Sequence, residues 1–203
     1  VRRTNSRAIA DLFAAQAGKF VSVSAGDALE TTLAAFGSGA AARSVRETAR
    51  VMNIDIGGGT TKIAVCENGE LIDLTAVDIG ARIVALDAQG RLVRLEEAGR
   101  KFAEEVGVTL TLGQPVAPED LARMVDRMAE RIFDVAGNAV PDPISQSLLR
   151  LEPLRASQLP DVLTFSGGVS EYVYGREAQA YGDLGPLLAA AVRRKAQAWG
   201  PRL

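Results

Sequence analysis

Between Val51 and Leu74 the chain reads VMNIDIGGGTTKIAVCENGELIDL, and the residues flanking its glycine run restrict the fold more than any other feature. Val51, Ile54 and Ile56 lead into Gly57-Gly58-Gly59 as a strand, and beyond it Ile63 and Val65 alternate with Lys62, Ala64 and Cys66 at the period of a second strand. A Walker loop or a dinucleotide fingerprint opens into a helix instead. No glycine precedes Lys62 in the Walker position, and no G-x-G-x-x-G follows Asp55. The run is therefore the tip of a β-hairpin. Asn68-Gly69 is a second turn, leading into ELIDLTAVDIG as a third antiparallel strand.

Glycines at such a tip permit converging backbone N–H groups and close approach of a phosphate, with the hydroxyls of Thr60 and Thr61 as further donors. Asp55, at the end of the first strand, is placed to hold a magnesium ion through water while the amides hold the phosphates. The plainer alternative is a cramped turn in which Asp55 only receives its N–H groups. A second candidate lies in LTFSGGVSEYVYG, where Ser166-Gly167-Gly168 ends a buried-type strand and opens a helix. A flat ring fits against backbone without side chains there. A pair of packing glycines explains the same letters.

The inventory excludes much other chemistry. With no histidine and a single cysteine, Cys66, the chain has no Ser-His-Asp triad, no Cys-His dyad, no Cys/His zinc site and no internal disulfide. Its 23 basic and 25 acidic residues are interspersed, which gives no electrostatic footprint for nucleic acid or an anionic membrane. The longest apolar run near the C-terminus, PLLAAAV, is far short of a membrane span, and no signal peptide is visible, so a cytoplasmic protein is expected.

Elsewhere the pattern predicts a helix over 7 to 17, a strand in FVSVS, and a helix through LETTLAAF stopped by Gly37-Ser38-Gly39. A hairpin follows in ARIVALDAQGRLVRL, then a helix from Glu96 to Val106 and a long helix opened by Pro118 with an apolar stripe of Leu121, Met124, Val125, Met128 and Ile132. A Pro-rich connection around a short helix precedes the SGG strand, and a last helix runs near Leu184 to Trp199. The order suits an α/β domain with a mixed sheet. The chain starts at Val1 in a helical pattern already under way, so a piece of a longer protein is expected.

An aspartate, glycines and threonines at a hairpin tip, then strand-SGG-helix, resemble the phosphate and adenosine motifs of the actin, heat-shock chaperone and sugar-kinase ATPases. AGDALETTLAAFGSGAAARS, NIDIGGGTTKIAV, DIGARIVALDAQGRLVRL and FSGGVSEYVYG together resemble, within that superfamily, the EutA family of ethanolamine ammonia-lyase reactivating factors. The resemblance implies an α/β, ribonuclease-H-like actin-type ATPase fold with a mixed sheet and a three-stranded antiparallel meander, its first phosphate lobe largely missing. It implies a division into 1–49 (end of the first lobe and inter-lobe joint), 50–175 (second lobe) and 176–203 (C-terminal helical segment).

Carried onto this sequence, Asp55 is catalytic and magnesium-binding. Gly57, Gly58, Gly59, Thr60 and Thr61 form the second phosphate motif, and Ser166, Gly167 and Gly168 the adenosine motif. Glu30 and the loop Gly37 to Gly39 fall at the joint between lobes. The implied cofactors are ATP and Mg2+, and the implied partner is ethanolamine ammonia-lyase, an adenosylcobalamin enzyme from which the factor releases damaged cobalamin. A homo-oligomer and a bacterial microcompartment are both compatible with this reading. The alternative is a small-metabolite kinase of the same superfamily, for whose carboxylate base Asp78 or Glu171 can be argued. A nucleotide-independent interaction module is a third. Because half of the expected cleft is missing, these residues alone should bind nucleotide weakly and hydrolyse little of it. A phosphate-release assay on this chain checks that, and turnover comparable to an intact ATPase would refute it.

Overall fold

A computed structural model describes residues 26–139, 143–155 and 158–203, so the helix expected over 7 to 17 and the strand in FVSVS lie outside the described residues. In chain order the elements are α1 (Asp27–Gly37), α2 (Ala40–Glu47), β1 (Val51–Ile56), β2 (Thr61–Glu67), β3 (Glu70–Val77), β4 (Val84–Leu86), β5 (Leu92–Leu95), α3 (Glu97–Glu105), α4 (Pro118–Ala136), α5 (Pro143–Leu148), β6 (Val162–Ser166), α6 (Gly168–Val173) and α7 (Gly185–Trp199). The expected antiparallel meander is β1 to β3. Its second turn uses Asn68 and Gly69, both left-handed (φ 51° and 86°), the backbone a two-residue hairpin with native twist requires.

The four-stranded sheet has the order β3-β2-β1-β6, with β1 antiparallel to β2 and parallel to β6. The chain is thus α/β with a mixed sheet. β4 and β5 form a separate two-stranded ribbon at the hairpin expected around Gln89-Gly90.

Strand side chains alternate between faces, and the two faces here differ in kind. Met52, Ile54, Ile56, Ile63, Val65, Leu163 and Phe165 share a large core with the stripe of α4 and with Leu188 and Val192 of α7. The opposite face is lined by small side chains: Val51, Ala64, Cys66 and Val162 meet Ala35, Ala40 and Ala41 from α1 and α2. Burial pushes the Cys66 thiol up from its ordinary value, as expected of a cysteine that serves as a small apolar side chain.

Gly37 to Gly39 acts as a corner between two helices. Gly39 takes φ 81° and α2 begins at once, a helix absent from the sequence reading because its alanines form no large apolar stripe.

A buried ion-pair cluster ties three helices together. Glu105, at the end of α3, accepts from Arg127 (2.5 Å) and from the buried Arg131 of α4, and Arg131 also donates to the Ser145 hydroxyl of α5 (2.8 Å). Removing one member of such a group leaves a charge poorly compensated in a dry site. Arg131→Ala should therefore cost about 3 kcal/mol of unfolding free energy, measured by urea denaturation.

Candidate functional site

Parallel pairing of β1 with β6 sets Asp55 directly opposite Ser166, so two motifs far apart in sequence end side by side. The Ser166 hydroxyl donates to Asp55 Oδ1 (2.8 Å) and accepts from Asn53 Nδ2 (2.9 Å), while Asn53 Oδ1 accepts from Thr164 (2.9 Å). Asn53 and Asp55 on β1, and Thr164 and Ser166 on β6, point to the same face because each pair is two residues apart. Asp55 Oδ2 takes no hydrogen bond among the described residues.

Gly167 follows with φ 81°, and a Cβ there would lie 2.5 Å from the Ile56 carbonyl oxygen and 2.8 Å from Asp55 Oδ1. No other residue lets the end of β6 press so closely on the end of β1. This edge, at the carboxyl ends of parallel strands, is where open α/β sheets place their ligands.

The hairpin tip is held from behind. Gly57 N–H donates to the Thr60 carbonyl (3.0 Å), and the Gly57 and Gly58 carbonyls accept from the N–H groups of Ala81 (3.0 Å) and Arg82 (2.5 Å). Gly80 makes this clamp fit, since a Cβ on it would lie 2.6 Å from the backbone of Gly58 and Gly59. With the carbonyls engaged, the N–H groups of Gly58, Gly59 and Thr60 find no acceptor among the described residues.

None of Gly57, Gly58 and Gly59 has positive φ, so the tip lacks the alternating handedness of a nest. A Cβ would also find room at each: ordinary contact at Gly57 and Gly58, and open space at Gly59. Cramping within the turn therefore does not account for the run. Around the tip, the sterically obligatory glycines are Gly80 and Gly167.

The threonines divide. Thr60 accepts from Lys62 Nζ (3.1 Å), and Lys62 pairs with Glu30 of α1 (3.2 Å), which links α1 to the tip. Thr61 is fully buried and its hydroxyl donates to the Ile79 carbonyl (2.7 Å), so that group is committed to the scaffold. Asp78, one of the two carboxylates argued for a kinase, is paired with Arg150 (2.8 Å).

Two depressions flank the tip. A cleft of 280 Å³ runs from Gly57 and Gly58 across Arg82 to Gly168, Glu171 and Tyr172, and so joins both motifs. A wider basin of 1040 Å³ lies on the other side, against Gly59, Thr60, Arg82, Lys101 and Arg150. The cleft's far wall is self-bonded: Tyr172 donates to the Gln179 carbonyl (2.6 Å) and Tyr181 to Glu177 (2.9 Å). The N–H of Gln179, and then the Tyr181 hydroxyl, hold the Glu177 carboxyl below the usual range, while burial pushes the Tyr172 phenol up.

Among the described residues no group of three or more Cys, Asp or Glu side chains is arranged to hold a metal. Asp55 with its free oxygen suits instead a cation bound mostly by water and phosphate, the usual manner of magnesium. Asn53, Thr164, Gly80 and Arg82 escaped the sequence reading. Asn53, a polar residue inside an apolar strand, was the one with a visible signal.

The family model described as Ethanolamine utilisation protein EutA matches residues 1–200. Ethanolamine ammonia-lyase reactivase EutA of Salmonella typhimurium is 38% identical over 177 residues, and its counterpart of the same description from Escherichia coli K12 is 34% identical over 177. Each alignment takes in 86% of this chain and 38% of the relative, so the chain spans well under half the length of the curated relatives it matches.

The contrast between glycines is testable. Gly80→Ala should cost about 1–3 kcal/mol by overpacking, and Gly59→Ala, with open space around its Cβ, should stay within about 0.5 kcal/mol of the unaltered chain. Chemical denaturation of both variants measures the difference.

Proposed function

The chain belongs to the family of the ethanolamine utilisation protein EutA, and from that membership we propose that it is part of an ATP-dependent reactivating factor for ethanolamine ammonia-lyase, built on an actin-type ATPase fold. The relatives bear the description of a reactivase of that lyase. Since the chain spans 38% of their length, reactivation is assigned to the whole protein and nucleotide sensing to this part of it. In the proposed division, residues 1–49 end the first lobe and form the joint, 50–175 form the second lobe, and 176–203 close it.

The observation that carries the reading is the Asp55–Ser166 hydrogen bond, which seats a carboxylate beside the SGG backbone and the tip, where the amides of Gly58, Gly59 and Thr60 find no acceptor among the described residues. The N–H groups of Gly58, Gly59 and Thr60 would hold phosphate oxygens, and Asp55 would hold Mg2+ through water. Gly168, against which a Cβ would meet nothing within 4 Å, would leave room for the adenosine. When bound, ATP supplies a terminal phosphate whose loss on hydrolysis changes what the tip can touch.

The residues of the chain do the rest. Ser166, itself oriented by Asn53, fixes the Asp55 carboxylate so that its second oxygen is free to orient a water or a hydrated cation. Thr61 and Gly80 keep the tip in place by binding it to the segment behind it. A nucleotide shifts a conformational equilibrium only by its difference in affinity for the two states. A tip whose carbonyls are tied to Ala81 and Arg82 can pass such a difference on to β4 and the segment beyond. In the whole protein, that change would loosen the lyase enough for damaged cobalamin to be exchanged for intact cofactor.

Asp55→Asn keeps the shape and the acceptor for Ser166 and removes the charge. In the full-length protein it should reduce ATP-dependent reactivation of inactivated lyase to background, with an unchanged circular dichroism spectrum. Reactivation at the unaltered rate would remove Asp55 from the mechanism.

A further inference from the structure

Arg82 stands on the boundary between the two depressions and lines both of them. Its backbone N–H is bonded to Gly58, and a Cβ at Gly58 would lie 3.5 Å from the Arg82 stem, so the side chain lies across the tip. Its guanidinium has one partner: Nε donates to Asp183 Oδ2 at 3.2 Å, and neither Nη donates a hydrogen bond among the described residues. Of the other cations near the tip, Arg94 likewise holds one carboxylate through Nε, that of Glu96 (2.8 Å), and three are more firmly engaged. Arg150 bridges Asp27 and Asp78, Lys101 reaches the carbonyl and hydroxyl of Ser147, and Lys62 is shared by Glu30 and Thr60.

Asp183 is nearly buried and its other oxygen accepts from the Gly185 N–H at the start of α7, so it stays in place whether or not Arg82 is bound. Arg82 is more than half exposed and can leave. A single-point, exposed ion pair is weak, whereas a guanidinium fork meeting a phosphate makes two parallel charged hydrogen bonds.

We propose that Arg82 reads the outer phosphates of the nucleotide at the hairpin tip, exchanging its bond to Asp183 for bonds to phosphate oxygen. This rests on the reading of the tip as a phosphate site and adds a residue that discriminates by the number of phosphates. The exchange has a structural consequence. Departure of Arg82 removes the side-chain tie between the tip and the start of α7, while the backbone bonds from Leu184 N–H to the Ala81 carbonyl and from Leu86 N–H to the Gly182 carbonyl remain.

The experiment is a titration of the isotopically labelled full-length protein with ATP, ADP and AMP in the presence of Mg2+, followed by nuclear magnetic resonance. It uses the unaltered protein, Arg82→Ala, Arg82→Lys and Asp183→Asn. ATP should shift the amides of Gly58, Gly59 and Thr60 together with the Arg82 Nε–H. Arg82→Ala should weaken ATP binding about tenfold and leave AMP binding unchanged, so that the preference for ATP over AMP collapses. Arg82→Lys, which keeps the charge and loses the fork, should restore it in part. Asp183→Asn keeps the cap on Gly185 and frees Arg82, and should bind ATP more tightly than the unaltered protein. If the tip amides respond and Arg82→Ala retains the full ATP preference, the role of Arg82 is overturned and the phosphate site stands. If no nucleotide moves the tip amides, the phosphate site is overturned and Arg82 with it.

Discussion

The structure depends on one non-local pairing, the parallel ladder between β1 and β6. It joins Val51–Ile56 to Val162–Ser166 in a register that places Asp55 against Ser166. A slip of β6 by one residue would turn Thr164 and Ser166 toward the apolar core and Leu163 and Phe165 away from it. The large hydrophobic face therefore enforces the alignment of the polar one. The same lateral force that stabilises the fold keeps a carboxylate, a hydroxyl and a glycine in close contact at the sheet's edge.

The two faces of the sheet serve different ends. One carries branched and aromatic side chains beneath α4 and α7, where most apolar area is buried. The other is lined with alanine, valine and cysteine and lets α1 and α2 approach closely, which brings Glu30 to Lys62 and so to Thr60. Small side chains on that face make room for charged ones at its end. The tip is thereby reached from two directions, by α1 through Lys62 and by residues 80–82 through backbone hydrogen bonds.

Local order was legible in the sequence and non-local contact was not. Alternation at Ile54, Ile56, Ile63 and Val65 declared two strands, and the strand after Gly59 identified the run as a hairpin tip. Pro118 and the stripe through Ile132 declared α4. By contrast, α2 is built on alanines that pack by smallness, and periodicity cannot register them. Gly80 and Gly167 look no different from the run at 57–59 until a Cβ is placed on them, because their necessity comes from a chain segment elsewhere. Thr61 read as a donor for a ligand, and its burial against Ile79 became visible only once residues 77–79 were seen to fold back over it. The resemblance located the motifs, but their adjacency is a property of the ladder.

The hydrogen bonds that cross the sheet's polar face all run the same way. Thr164 gives its proton to Asn53, Asn53 gives one to Ser166, and Ser166 gives one to Asp55, where the series ends on an oxygen that can only accept. Such an alignment has a direction: its bond dipoles add, each polarising the next toward the carboxylate. Neutralising Asp55, by a proton or by a cation, would take away the charge that holds the sequence in that sense. The interior of the sheet thus carries an electrical imprint of the charge on Asp55 at its edge.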